Sequence, residues 1–153
     1  MKLSHLDEAG RARMVDVGDK PISARTAVAA GAIRMTAEAF RLVADEAVAK
    51  GDVLAVSEVA GTLAAKRTAE LIPLCHPLGL DHVAVETSLD ETLPGVRVRA
   101  SVKAVGRTGV EMEALTAVSV ALLTVYDMVK AADPAMVIAD VHLGEKQKAP
   151  HQA

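Results

Sequence analysis

The sequence predicts an α+β fold, with helices packed on one face of a mainly antiparallel sheet. Three observations carry that expectation: a long helical period over residues 109–132, two runs of strict alternation at 82–89 and 96–104 joined by a turn, and alanine-rich segments with helical spacing earlier in the chain. In the long run, Leu115, Val118, Leu122, Val125 and Val129 recur at three- and four-residue steps, while Ala114, Ala117 and Ala121 keep another flank small. Glu111 and Glu113 fall in its first turn, where the helix dipole favours carboxylates. Asp127 near the other end is electrostatically misplaced and needs a cation, and Lys130, three residues on, shares its face. A lysine held in apolar surroundings has its pKa lowered toward neutrality, so a buried Asp127–Lys130 pair is a candidate acid/base site. From Glu113 to Lys130 a helix advances roughly 25 Å at about 1.5 Å per residue. One reacting centre cannot touch both ends of it, so a site that uses both requires a second subunit.

Taken in order, residues 12–20 (ARMVDVGDK) read as a short strand with Arg13, Val15 and Val17 on one face. Pro21 and its neighbours then form a turn, with Lys20 and Arg25 beside a mobile loop. Residues 25–35 read as a strand around Gly31, with an alanine-rich helix as the competing reading. Thr36 caps a helix whose face is Phe40, Val43, Ala47 and Val48 and which ends near Lys50 and Gly51. Asp52 caps the next helix, with Val53, Val56, Val59, Ala60, Leu63 and Ala64 as its stripe and Lys66 and Arg67 in its last turns. The alternating runs form a hairpin through Pro94-Gly95, with Arg97, Arg99 and Lys103 on a solvated face. Residues 106–109 (GRTG) open the long helix, whose N-terminus would accept an anion if the glutamates turn aside. Asp133-Pro134 breaks that helix, and residues 136–145 alternate as a last strand through Val137, Ala139, Val141 and Leu143. One domain covers residues 1–153, with ends 1–10 and 146–153 expected to be mobile.

A chain that is 51% apolar but 1% aromatic must build its core from Ala, Val, Leu, Ile and Met, and it has apolar surface left over for self-association. A net charge of −3 argues against a general nucleic-acid partner. The single cysteine excludes an internal disulfide and suits a reducing compartment, and no signal peptide or membrane-length apolar run stands out, so a cytoplasmic location is expected.

The loop LIPLCHPL at 71–78 places Cys75 and His76 between Pro73 and Pro77. An apolar loop braced by prolines and carrying an imidazole reads as a pocket wall. Cys75, His76 and His82 are potential zinc ligands, but they lack metal-site spacing; the simpler reading of Cys75 is a small buried hydrophobe.

Three strings, KGDV at 50–53, AGTLAAKRTAELIPLCHPL at 60–78 and TGVEMEALTAVSVALLTVYDMVKA at 108–131, closely resemble the molybdenum-cofactor biosynthesis protein C family of cyclic pyranopterin monophosphate synthases. The resemblance runs from MVDV at 14–17 to MVIADV at 136–141. It implies a ferredoxin-like subunit in a homohexamer assembled from dimers, with sites at subunit interfaces. The implied substrate is a GTP-derived cyclic dihydroguanosine triphosphate, converted to cyclic pyranopterin monophosphate with release of pyrophosphate. Carried over by matching strings, Asp127 and Lys130 are the catalytic pair and Lys66 a second functional lysine. Leu74, Cys75, His76, Met112 and Glu113 contact substrate, and Lys50, Arg25 and Lys20 line the site. Arg107 stands where many relatives carry lysine, and Val129 where many carry a cysteine or another small residue. No resident cofactor is implied, with magnesium as a candidate assistant to pyrophosphate departure. Partners are therefore the nucleotide and further copies of the chain, with no nucleic acid and no membrane. Two other readings use the same residues: a homo-oligomeric module that binds a nucleotide unchanged, and a metal-dependent hydrolase built on Cys75, His76 and His82.

Overall fold

The long central helix ends the chain's search for a core, because almost every side chain on its inner half is apolar and small enough to lie flat on a sheet. The structure is a computed structural model that describes residues 5–151. In chain order its elements are β1 (Ser23–Arg34), α1 (Ala37–Ala44), α2 (Val53–Lys66), the single turn α3 (Thr68–Leu71), β2 (His82–Asp90), β3 (Gly95–Gly106), α4 (Glu111–Val129) and β4 (Val137–Pro150). All strand pairs are antiparallel, in the order β2-β3-β1-β4. With α3 continuing α2 and α1 a short preface, this is the β-α-β-β-α-β arrangement of a ferredoxin-like fold.

The alternation expected for β3 is present: Val96, Val98, Ala100, Val102 and Ala104 are buried, while Arg97, Arg99 and Lys103 face solvent. Arg97 pairs with Asp90 and Arg99 with Glu86, so that face is laced by ion pairs. Facing the buried row, α4 buries Ala114, Ala117, Val118, Ala121, Leu122 and Val125, all at 0% exposure. α4 is long and apolar enough to cross a membrane by length and composition alone, which corrects the expectation that no apolar run reaches that length; here it is a core helix, packed on the sheet beside α2, which itself lies on β2.

Close approach is set by glycine at two places. A Cβ at Gly61 would sit 2.8 Å from the Ala117 carbonyl oxygen and 3.1 Å from Val85 Cγ1, so α2 meets α4 backbone to backbone. Gly95, at the start of β3, has the Ile33 carbonyl oxygen where its Cβ would be. Because backbone cannot step aside as a side chain does, Gly95→Ala is expected to destabilise the fold by about 3 kcal/mol, near the upper end of overpacking costs. A urea midpoint within error of the unsubstituted protein would contradict this.

Several expectations are corrected. Residues 12–20 form no strand; a small turn closed by the Leu6–Ala12 bridge leads into an extended segment that pairs with no sheet strand. The helix capped by Thr36 stops at Ala44, not near Lys50, because Glu46 takes a positive φ of 52° and the chain turns away through Gly51. On α2 the buried side is Val53, Ser57, Gly61, Ala64 and Ala65; Val56, Val59 and Leu63 of the expected stripe are 45%, 60% and 51% exposed. The small side faces α4 because only small residues permit that spacing. α4 ends at Val129, four residues before the Asp133-Pro134 break. In β4 it is Ile138 that packs on the core, while Val137, Val141 and Leu143 are exposed; a register shift opposite Gly31, with Asp140 at φ 57°, breaks the alternation between Ala139 and His142. The end expected to be mobile from 146 continues β4 to Pro150, opposite Ser23, since the length of β1 would otherwise leave unpaired backbone. Residues 5–10 form an ordered turn in which Asp7 accepts from Ala9 and Arg11; positions 1–4 and 152–153 of the expected mobile ends lie outside the described residues.

Candidate functional site

Except for Lys66, the expected site residues collect at the two ends of α4. At its N-terminal end, the proline-braced loop after α3 and the extended segment before β1 enclose a cavity of about 450 Å³. Lys20, Leu74, Cys75, His76 and Met112 all line it, together with His5, Val15, Val17 and Glu111. The pocket-wall reading of the loop therefore holds. Its zinc reading does not: His76 Nε2 lies 2.7 Å from the Val15 carbonyl, Cys75 faces Glu113, and His82 lines a separate depression with Lys66. Among the described residues no group of three or more His, Cys, Asp or Glu side chains is placed to hold a metal ion.

Glu113 sits behind Cys75, 3% exposed, with Oε1 3.8 Å from the thiol sulfur and Oε2 buried without a partner. Burial pushes its carboxyl pKa up, and the nearby Glu111 charge adds to the effect against the hydrogen bonds from its own N–H and from Cys75. Burial likewise pushes the Cys75 thiol up, followed by the charge and hydrogen bond of Glu113. Cys75 is thus a protonated thiol that donates to Glu113.

Glu111 is held differently. Burial pushes its carboxyl up, but the Lys146 ion pair, its own N–H and the charge of Arg25 bring it below the usual carboxylate range. Its carboxylate folds back against Gly109 at the start of α4 and so takes the place an external anion would have; the glutamates are not turned aside. Arg25, on β1, donates from Nη2 to the Arg107 carbonyl at 3.3 Å, and its Nε is buried without a partner. Sequence reasoning missed Glu111 and Lys146 as members of this cluster. Glu111 carried an ordinary helix-start reading, and Lys146 lay in a polar tail whose only strand signal is the partner β1 offers it.

At the other end of α4, Asp127 Oδ1 accepts from Lys130 Nζ at 2.7 Å and Oδ2 accepts from Lys50 Nζ at 2.7 Å. Lys50 also donates to the Asp127 main-chain carbonyl at 3.0 Å, which satisfies a helix-end acceptor with a cation. The early end of α1 and the turn at Gly51 are what carry Lys50 here. The group is one carboxylate shared by two ammoniums, all three side chains more than half exposed. The expected buried pair with a lowered lysine pKa is therefore corrected. The Lys130 and Lys50 hydrogen bonds and charges lower Asp127 to about 2, and Asp127 raises Lys130 above its ordinary value. Exposure removes the desolvation that would have lowered the lysine. Lys66 belongs to neither cluster; it is exposed at the end of α2, beside Leu78, Asp81 and His82.

Along α4 the two clusters are separated by the fourteen residues from Glu113 to Asp127, roughly 21 Å of helix axis. The fold and these clusters define the class: an α+β sandwich protein with an apolar, proline-walled cavity at one end and a cationic pair around a carboxylate at the other. The chain belongs to the MoaC family, whose model matches residues 14–149. A cyclic pyranopterin monophosphate synthase of Cereibacter sphaeroides strain KD131 is 60% identical over 141 residues, 92% of this chain and 89% of that protein. One of Dinoroseobacter shibae is 56% identical over 144 residues, 94% and 91% of the two chains.

Proposed function

We propose that the protein is a cyclic pyranopterin monophosphate synthase of molybdenum cofactor biosynthesis. It converts (8S)-3′,8-cyclo-7,8-dihydroguanosine 5′-triphosphate to cyclic pyranopterin monophosphate and releases pyrophosphate. The observation that carries this is family membership over residues 14–149, a span that includes both clusters, with 60% overall identity to a synthase over 92% of the chain.

The geometry supports a division of labour. The cavity beside Cys75, His76, Met112 and the buried Glu113 takes the guanine-derived ring system, with Glu113 and His76 as positioning groups. Lys20 on the cavity wall and Arg25 beside it neutralise triphosphate charge as pyrophosphate leaves; Lys66, which lies apart from both clusters, is assigned to the same task by the family resemblance alone. Lys130 supplies protons and Asp127 orients it, with Lys50 as the second cation on the same carboxylate. Because Asp127 raises the Lys130 pKa, its resting state is the ammonium and its first role is donation; acceptance follows once that proton has been given up. Magnesium, if it assists pyrophosphate departure, would arrive with the triphosphate and would add to the charge neutralisation supplied by Lys20 and Arg25.

Since one chain holds the clusters at opposite ends of α4, the working site is shared between subunits; the homohexamer built from dimers is the assembly that the family resemblance implies. Val56, Val59 and Leu63 at helical spacing on α2, with Leu123 on α4, offer an exposed apolar surface for such association. The single cysteine, free in the structure, is in keeping with action in the cytoplasm.

The test is incubation of purified protein with the cyclic dihydroguanosine triphosphate, following pyrophosphate and, after oxidation, pterin fluorescence. Both products are expected from the native chain and neither from Lys130→Ala. Recovery of the nucleotide bound but unchanged would replace the synthase with a binding module.

A further inference from the structure

Residues 5–20 lie against the cavity as a strap that belongs to no sheet. Within it, Arg13 N–H donates to the His5 carbonyl at 2.8 Å and Lys20 N–H to the Val17 carbonyl at 3.0 Å, so its hydrogen bonds are mostly its own. Among the described residues only two hydrogen bonds tie it to the rest of the chain: His76 Nε2 to the Val15 carbonyl at 2.7 Å, and Arg107 Nε donating to the Lys20 carbonyl at 3.1 Å. Yet it supplies His5, Val15, Val17 and Lys20 to the cavity wall. The imidazole is therefore both a wall of the cavity and one of the strap's two fastenings.

A carbonyl oxygen only accepts, so the nitrogen 2.7 Å from it must carry a proton. This holds for the neutral ring and for the imidazolium alike. Nε2 is consequently committed to Val15 as a donor, and Nδ1 is the nitrogen left for other partners. We infer that Val15, through its main-chain carbonyl, is a positioning residue for His76: it fixes the Nε2–H tautomer, leaves Nδ1 as the atom that meets the heterocycle, and makes strap and imidazole close the cavity as one unit. The inference rests on the synthase reading for the identity of the ligand. The fastening itself is a property of the unliganded chain. It also gives residues 12–17 a purpose that the strand reading had missed, because an extended segment without sheet neighbours has its carbonyls free for side chains.

Two substitutions separate the nitrogens, since a glutamine amide reaches where Nε2 stood and an asparagine amide where Nδ1 stood. In His76→Gln the strap stays fastened, so its amide hydrogen exchange remains within about twofold of the native chain, while kcat falls about 100-fold for want of Nδ1. In His76→Asn the fastening is lost; strap amides exchange at least about tenfold faster, and KM for the cyclic nucleotide rises about tenfold with a smaller loss of kcat. Arg107→Ala, which cuts the other fastening and leaves the imidazole native, is expected to speed strap exchange and raise KM with kcat little changed. Exchange is measured on the full chain without ligand. If the native protein fails to turn over the nucleotide, the synthase reading falls while the fastening is still judged by exchange alone. Strap protection unchanged in both His76→Asn and Arg107→Ala overturns the inference, as does a His76→Gln enzyme with kcat within threefold of native.

Discussion

Asp127→Asn is expected to lower turnover by about 10²- to 10⁴-fold, the range over which a positioned proton-transfer group contributes, and to leave the melting temperature almost unchanged. The two halves of that result have separate causes. Asp127 joins Lys50 and Lys130 at 2.7 Å each; an asparagine keeps the shape but supplies one neutral acceptor and a donor that faces an ammonium. The cations then lose their common anchor and repel, and Lys130 is no longer held in one place. Stability is little affected because all three groups are more than half exposed, where water screens the pair.

The pH dependence follows from the directions of the shifts. Asp127 is lowered from 3.8 to about 2, so what its ionisation adds to folding is present above pH 3.8 and is lost as pH falls through about 2. Lys130 is raised above 10.5, so its contribution is present below 10.5 and is lost as pH rises through the raised value. Between those limits the group keeps one charge state. In Asp127→Asn the cause of the raised lysine pKa is gone, so the basic limb of the rate profile moves to lower pH. A variant that retains more than a tenth of native kcat, or whose basic limb stays in place, would remove Asp127 from the chemistry.

The sequence made some of this legible because its periodicities were unopposed. In β3, five small apolar residues alternate with three charged residues and a serine, so the buried face could be read directly, and α4 showed its core side in the same way. On α2 the same rule misled. Val56, Val59 and Leu63 are larger than Ser57 and Gly61, yet the small side is buried because α4 approaches within backbone contact. Hydrophobicity ranks side chains by transfer from water, whereas helix spacing is decided by what fits between two backbones. The Asp127–Lys130 pair was visible as a three-residue spacing. Lys50, 77 residues from Asp127 in sequence, reaches it only because α1 stops early, a consequence of the positive φ at Glu46 that no periodicity records. Lys146 was hidden in the same way: its strand exists for the backbone of β1, not for its own side chains.

Subunit mixing offers the most demanding test of a shared site. Lys130→Ala disables the C-terminal end of α4, and Glu113→Ala, which empties the buried acid behind Cys75, disables the other. Each homo-oligomer is expected to be inactive. If every site takes its cavity from one chain and its Asp127–Lys130 pair from another, random reassembly of an equal mixture gives sites with both halves native at a frequency of about one quarter, so about 25% of native activity should return. The figure does not depend on whether the assembly is a dimer or a hexamer, only on the two halves coming from different chains. Glu113→Gln repeats the test with less risk to the core, since the amide keeps the volume and loses the acid. No recovery in mixtures shown by mass to contain both chains would mean that one subunit carries a whole site. The roughly 21 Å of α4 between the clusters would then have to be bridged by the nucleotide itself, ring system at one end and phosphates at the other.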